Sequence, residues 1–241
     1  MKIGILECGE VHPDVRAEFG GFGDMFTKLL APHGFDLKIY HAVGHDLPQS
    51  ATEADGWLFT GSAHGVYEDH AFQPPLRELI REAYAQEVPM VGVCFGHQLI
   101  AQALGGKVEK FAGGWSIGKR HYHTNEGNTL TLNAWHQDQV IEPPADAETI
   151  LSNDFCRFAG LRYGNRALSV QAHPEFSDPV LRAYLLARED SDAYPQDMMR
   201  AAREAPFGHT DSALVAEQFA QFFRQSAAHR KARSTKAPLL T

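Results

Sequence analysis

Apolar and polar positions alternate between two periods along the chain. Lys2–Leu6, Phe35–Tyr40 and Gly56–Thr60 are short apolar or alternating runs of strand length. Between the first two, Gly20–His33 carries Phe22, Met25, Phe26, Leu29 and Leu30 at helical spacing, and Gly34 follows where helices often stop. Pro74–Gln86 predicts a helix, with prolines at its start and Leu76, Leu79, Ile80 and Tyr84 on one stripe. Pro89–Val93 is continuously apolar, as a strand covered on both faces should be. Helical spacing resumes over Phe95–Leu104 and ends at Gly105-Gly106. This alternation predicts an α/β fold around a mainly parallel sheet. From Lys107 to Gln171 the runs shorten to Leu130–Leu132, Ile150–Leu151, Cys156–Phe158 and Ala167–Gln171. They predict a partly antiparallel extension of the same sheet. The last third reads as helices over Pro179–Arg188, Pro195–Glu204 and Asp211–Arg224. No repeat and no long Gly/Ser/Pro linker divides the chain, so one domain is expected over residues 1–226, followed by a basic, frayed tail over 227–241.

Composition narrows the function classes. The 241 residues carry a formal net charge of −8, which disfavours the phosphate backbone of nucleic acids as a partner. The one basic cluster, Arg224, Arg230, Lys231, Arg233 and Lys236, falls at the C-terminal end and reads as a solvated terminus. No run approaches the ~18 apolar residues of a membrane helix, and the apolar start stops at Glu7, as a first strand does and a cleavable signal does not. Three cysteines, Cys8, Cys94 and Cys156, make no disulfide framework and point to a reducing cytoplasm.

One of them has a chemically suggestive setting. Val91-Gly92-Val93-Cys94-Phe95-Gly96-His97-Gln98 puts Cys94 between an apolar strand and a helix, with glycine two residues to either side. A nucleophile on such a tight turn needs small neighbours, and the turn aims it at the strand ends where α/β sheets bind ligands. The following helix points its amino-terminal dipole at the sulfur and offers the Phe95 amide to a developing oxyanion. A buried structural cysteine beside packing glycines would give the same octapeptide. A second segment weighs against that: Gln171-Ala172-His173-Pro174-Glu175 ends an apolar strand with an imidazole and a carboxylate two residues apart, on one side of an extended backbone. Glu175 can then orient His173 while the other ring nitrogen faces the sulfur.

With these pieces the chain resembles a class I (triad-type) glutamine amidotransferase, of the stand-alone sort similar to the amidotransferase domain of GMP synthase. The matching motifs span most of the chain: Phe59-Thr60-Gly61-Ser62 followed by Val66-Tyr67, the Cys94 elbow through Gln98, Gly105-Gly106-Lys107-Val108, Trp135-His136-Gln137-Asp138-Gln139-Val140, and the His173 segment. The resemblance implies a three-layer, flavodoxin-like open sheet with helices on both faces. It implies Cys94 as nucleophile, His173 as general base and acid, and Glu175 as the orienting carboxylate, with a γ-glutamyl thioester hydrolysed in a second step. The Phe95 amide and one from Gly61-Ser62 would form the oxyanion hole; this chain has Gly-Ser-Ala where many relatives have Gly-Gly-Pro. Gln98, and the backbone of His136, Gln137 and Asp138, would hold the amino-acid end of the substrate. A helix-surface amide and a loop histidine packed beside Trp135 are the plainer readings of Gln98 and His136.

No cofactor or metal is expected. His121 and His123 could share a strand face, but two imidazoles make only half of a usual zinc site, and Gly20-Gly21-Phe22-Gly23 lacks the spacing of a phosphate loop. Residues 178–241 leave no room for a synthetase. Two destinations for the nitrogen stay open: ammonia handed to a separate synthetase subunit, or an independent hydrolase of a γ-glutamyl amine or peptide. A non-catalytic protein on the same scaffold is the weakest alternative. Intracellular proteases with a similar elbow commonly have histidine directly after the cysteine, where this chain has Phe95. The Asp190–Asp192 stretch and the Met198-Met199 pair read equally as interface features or as local packing, and whether the 190–210 segment gates the site is open.

Overall fold

The computed structural model describes residues 1–234. In chain order the elements are β1 Lys2–Leu6, α1 Pro13–Phe19, α2 Phe22–Leu30, β2 Asp36–Tyr40, β3 Gly56–Phe59, α3 Gln73–Ala85, β4 Met90–Val93, α4 Phe95–Ala103, β5 Lys107–Lys110, β6 Ser116–Thr124, β7 Thr129–His136, β8 Asp138–Glu142, β9 Glu148–Ser152, β10 Gly160–Tyr163, β11 Ala167–Val170, α5 Asp178–Ala187, α6 Gln196–Glu204 and α7 Ser212–Ser234. Nine strands form one sheet in the order β2-β1-β3-β4-β11-β10-β9-β6-β7, and β5 pairs with β8 in a separate ribbon. From β2 to β11 the neighbours are parallel. From β11 outward through β10, β9, β6 and β7 they are antiparallel. The expected mostly parallel sheet with an antiparallel extension is therefore what the chain forms.

The central strands carry apolar residues on both faces, so each face needs a helical layer. One face takes Trp57, Phe59 and Met90 against Leu76, Leu79 and Ile80 of α3 and Leu99 and Ile100 of α4. The other takes Ile3, Ile5, Leu58, Val91, Val93, Leu168 and Val170 against Phe26 and Leu30 of α2 and Val215, Phe219 and Phe223 of α7. Gly4 matters here: a Cβ on it would sit 2.1 Å from the Trp57 ring. No described helix is long and apolar enough to cross a membrane.

Two expectations are corrected and one element is added. Cys156–Phe158 is a turn and not a strand, because Asn153 Oδ1 accepts the N–H groups of Phe155 and Cys156 at 3.1 and 2.7 Å and curls the chain. The pairing strand starts later, at Gly160. An unexpected short helix, α1, is started by Pro13 and by the His12 side chain, which accepts from the Asp14 N–H. The last helix runs on to Ser234, so residues 227–234 of the expected frayed tail are helical. Arg233 there lies 3.2 Å from Glu87 on the body of the protein. Residues 235–241 of that tail, Lys236 among them, lie outside the described residues. The Met198-Met199 pair packs locally: Met199 is buried with Ile117, Leu181 and Leu185.

Candidate active site

The parallel strands β3, β4 and β11 end side by side, and their carboxyl ends bring Gly61-Ser62, Cys94 and His173 to one place. Cys94 has φ 52° and ψ −104°, a conformation costly for a residue with a Cβ. The surroundings hold it there. Its N–H donates to the Val170 carbonyl at 2.9 Å, its carbonyl accepts from the Gln98 N–H at 3.1 Å, and the Gly96 N–H donates to the Thr60 carbonyl at 3.1 Å. The two flanking glycines are steric necessities. A Cβ on Gly96 would lie 2.2 Å from the Phe59 carbonyl oxygen, and one on Gly92 would lie 2.6 Å from the Gly96 oxygen.

His173 is held from several sides. Its N–H donates to the Asn133 carbonyl at 2.9 Å, while Asn133 Nδ2 donates to the Phe176 carbonyl at 2.8 Å, so β7 braces the loop after β11. Phe176 stacks on the imidazole with centroids 4.2 Å apart and itself rests on Tyr184. A Cβ on Gly61 would approach the ring's Cε1 to 3.0 Å. Nδ1 is 2.7 Å from Glu175 Oε1, which leaves Nε2 to the side of the ring facing the cleft that His173 shares with Cys94. Burial alone would push this imidazole down, but the Glu175 carboxylate and the Cys94 sulfur outweigh it and hold the group at about 10. All three residues are buried, and Glu175 Oε2 has no hydrogen-bond partner. The carboxylate is therefore committed to the imidazole. Such a set can remove a thiol proton, attack a carbonyl carbon and return the proton to a leaving amine.

The remaining predicted residues divide. Gln98 turns into the cleft that Cys94 also lines, and its Nε2 donates to the Asp138 carbonyl at 2.9 Å and to Gln171 Oε1 at 3.0 Å. Those bonds occupy the donor end and leave Oε1 to a ligand. His136 is buried, its Nδ1 3.3 Å from the Asp138 carbonyl and its Nε2 without a partner. Burial, helped by the neighbouring His173, pushes it down to about 3, so it is neutral and can donate or accept only as one tautomer. The Gln137 amide is spent on the Phe111 carbonyl, at 3.2 Å. Burial raises the Asp138 carboxyl, against a hydrogen bond from Tyr67. Phe95 opens α4, where the first amides have no partner within the helix. Of the two strand histidines, His121 meets Thr131 at 3.0 Å and His123 meets Thr129 at 3.3 Å, each across to β7.

Cys94, Gln98, His136, Gln137, Asp138 and His173 line a cleft of about 210 Å³. Sequence reasoning passed over its far wall, where Trp115, Trp135 and Tyr194 meet edge to face at 4.8 and 5.2 Å, with Tyr184 and Arg188 beside them. Tyr194 brings part of the 190–210 segment to that wall. Asn133 was also missed, because its burial and its bridge to His173 come from a distant segment that the local sequence does not show.

Comparison with known proteins adds four findings. A family model described as glutamine amidotransferase class-I matches residues 21–189. γ-Glutamyl peptidase 3 of Arabidopsis thaliana is 24% identical over 211 residues, covering 78% of this chain and 85% of that one. A GMP synthase (glutamine-hydrolyzing) of Listeria monocytogenes is 29% identical over 178 residues, 68% of this chain but 34% of the longer enzyme. Among solved structures, a glutamine amidotransferase from Thermotoga maritima superposes with a TM-score of 0.72 at 18% identity, covering 94% of this chain and 98% of the other.

Proposed function

The chain belongs to the glutamine amidotransferase class-I family, and from that premise we propose that it cleaves a γ-glutamyl side-chain amide by covalent catalysis at Cys94. The observation that carries the reading is the buried His173–Glu175 pair set in the same cleft as Cys94 on its strained elbow. In the first step sulfur adds to the amide carbon with the proton of the Cys94–His173 pair on Nε2, where an imidazole held at about 10 keeps it at neutral pH. The oxyanion is received by the Phe95 amide and one from the Gly61-Ser62 turn, donors each worth about 2.7–4 kcal/mol of barrier. The carbon–nitrogen bond then breaks. The amine leaves with the proton from His173, and a γ-glutamyl thioester remains on Cys94. Water, deprotonated by the same imidazole, attacks the thioester to release glutamate and regenerate the thiol. Gln98 Oε1 and the backbone of His136, Gln137 and Asp138 hold the amino-acid end of the substrate.

Two amides suit this chemistry, that of free glutamine and that of a γ-glutamyl amine or peptide. The aromatic wall of Trp115, Trp135 and Tyr194 favours the second, because ammonia needs no such surface. A relative named as a γ-glutamyl peptidase agrees with it. In the glutamine case the ammonia would serve a separate synthetase subunit. A panel of glutamine, γ-glutamyl amines and γ-glutamyl dipeptides separates the readings by specificity constant. Higher values for a bulky leaving group support the independent hydrolase. Uniformly higher values for glutamine support the ammonia donor. Release of glutamate that persists undiminished in Cys94→Ala contradicts both.

A further inference from the structure

The loop after β3 holds a cluster that the triad does not use. One ligand-type atom each from His64, Glu68 and His70 lies within 4.8 Å of the other two. Glu68 Oε2 is 2.7 Å from His70 Nε2 and 3.7 Å from His64 Nδ1. The imidazole centroids are 3.9 Å apart, and both rings rest on Phe72. The backbone fixes this arrangement: the His64 N–H donates to Ser62 Oγ at 3.2 Å. The Glu68 N–H donates to the Gly65 carbonyl at 3.1 Å, and the His70 carbonyl accepts from the Gln73 N–H at 2.9 Å.

We propose that His64, Glu68 and His70 form a divalent-cation site, best matched to Zn²⁺, on the rim of the substrate cleft. Two imidazole nitrogens and one carboxylate, with water as the fourth ligand, match the donor set of open tetrahedral zinc sites. Magnesium and calcium prefer all-oxygen shells, and this set is mostly nitrogen. Zinc–ligand bonds of roughly 2.0–2.2 Å put neighbouring donors about 3.3 Å apart, so side-chain rotations of about 1 Å close the trio. His64 and Glu68 also line the cleft, and His64 is tied to Ser62. Occupancy would therefore hold the Gly61-Ser62 turn in one position and set a positive charge at the cleft mouth. The site stands independently of which amide is cleaved.

The experiment is calorimetric titration of Zn²⁺ into the chelator-treated full chain carrying Cys94→Ala, so that the active-site sulfur cannot hold the ion. The expected result is one site per chain, weakened at least tenfold by His70→Asn and by His64→Gln, and unchanged by His121→Gln with His123→Gln. Asparagine at 70 keeps a hydrogen-bond donor for Glu68 and so guards against collapse of the loop. Cobalt(II) on the Cys94→Ala chain gives a second reading that needs no ligand variant: tetrahedral visible absorption with no sulfur charge-transfer band. The absence of both one-equivalent zinc binding and that absorption overturns the site. Zinc binding that survives both histidine substitutions overturns it equally.

Discussion

The Cys94 elbow carries backbone strain of roughly 1–3 kcal/mol, the usual cost of such geometry. Its φ of 52° suits glycine. Cys94→Gly is therefore expected to unfold at a higher temperature than Cys94→Ala, by about 1 kcal/mol in stability, with both inactive; thermal melts of the two variants check this. A lower melting point for the glycine variant would mean that the elbow stores no strain. Glu175→Gln leaves the shape but removes the charge that steadies the His173 imidazole. By analogy with other orienting carboxylates, kcat should fall by about 10³–10⁴ with little change in KM. Gly61→Ala is expected to act through the same ring, since the new methyl would stand 3.0 Å from His173 Cε1. Lost activity with a normal melting temperature is the expected signature, and full activity would show that the ring can move aside.

At the scale of elements, the contact between α4 and the end of β3 is the least forgiving. Gly96→Ala would drive a methyl to 2.2 Å from the Phe59 carbonyl, a backbone atom with nowhere to go. A loss of about 3 kcal/mol or more is expected in urea unfolding, and a near-neutral result would contradict this packing. The same contact explains what was legible beforehand. Strands β1, β3 and β4, helices α3 and α4, and the Cys94, His173 and Glu175 positions were readable because strict steric and periodic demands write them into local sequence. The rest depends on distant partners. The β5–β8 ribbon and the full length of β6 and β7 are mixed in polarity, since each has one partly exposed face. Cys156–Phe158 alternates like a strand until Asn153 bends it. His64 and His70 look like loop residues until the turn folds them onto Glu68.

Across the whole molecule, three buried imidazoles set the response to pH. His97 and His136 are pushed down to about 3, both chiefly by burial. As pH falls from about 6.5 the unfolded chain takes up protons that the native state refuses, so their contribution is lost toward pH 3. His173, held at about 10 against its burial by Glu175 and Cys94, acts in the opposite sense. Its contribution is complete below about 6.5 and is lost as pH rises through 10. Unfolding free energy from these groups should therefore peak near neutrality. The acid limb should flatten by about 1.4 kcal/mol per pH unit in His97→Gln, which keeps a partner for Ser169. Denaturation series across pH for both chains check it, and parallel acid limbs would contradict it. The proposed triad is itself a whole-molecule property, because Cys94 and the His173–Glu175 segment come from separate parts of the chain and meet only where β4 and β11 lie side by side. Intact-mass and peptide-mapping analysis after incubation with a glutamine-derived diazoketone tests that meeting most directly. The account predicts one adduct per chain, on Cys94, formed slowly in Glu175→Gln and absent in Cys94→Ala. Equal labelling of Cys8 or Cys156, or an adduct that persists in Cys94→Ala, would contradict it.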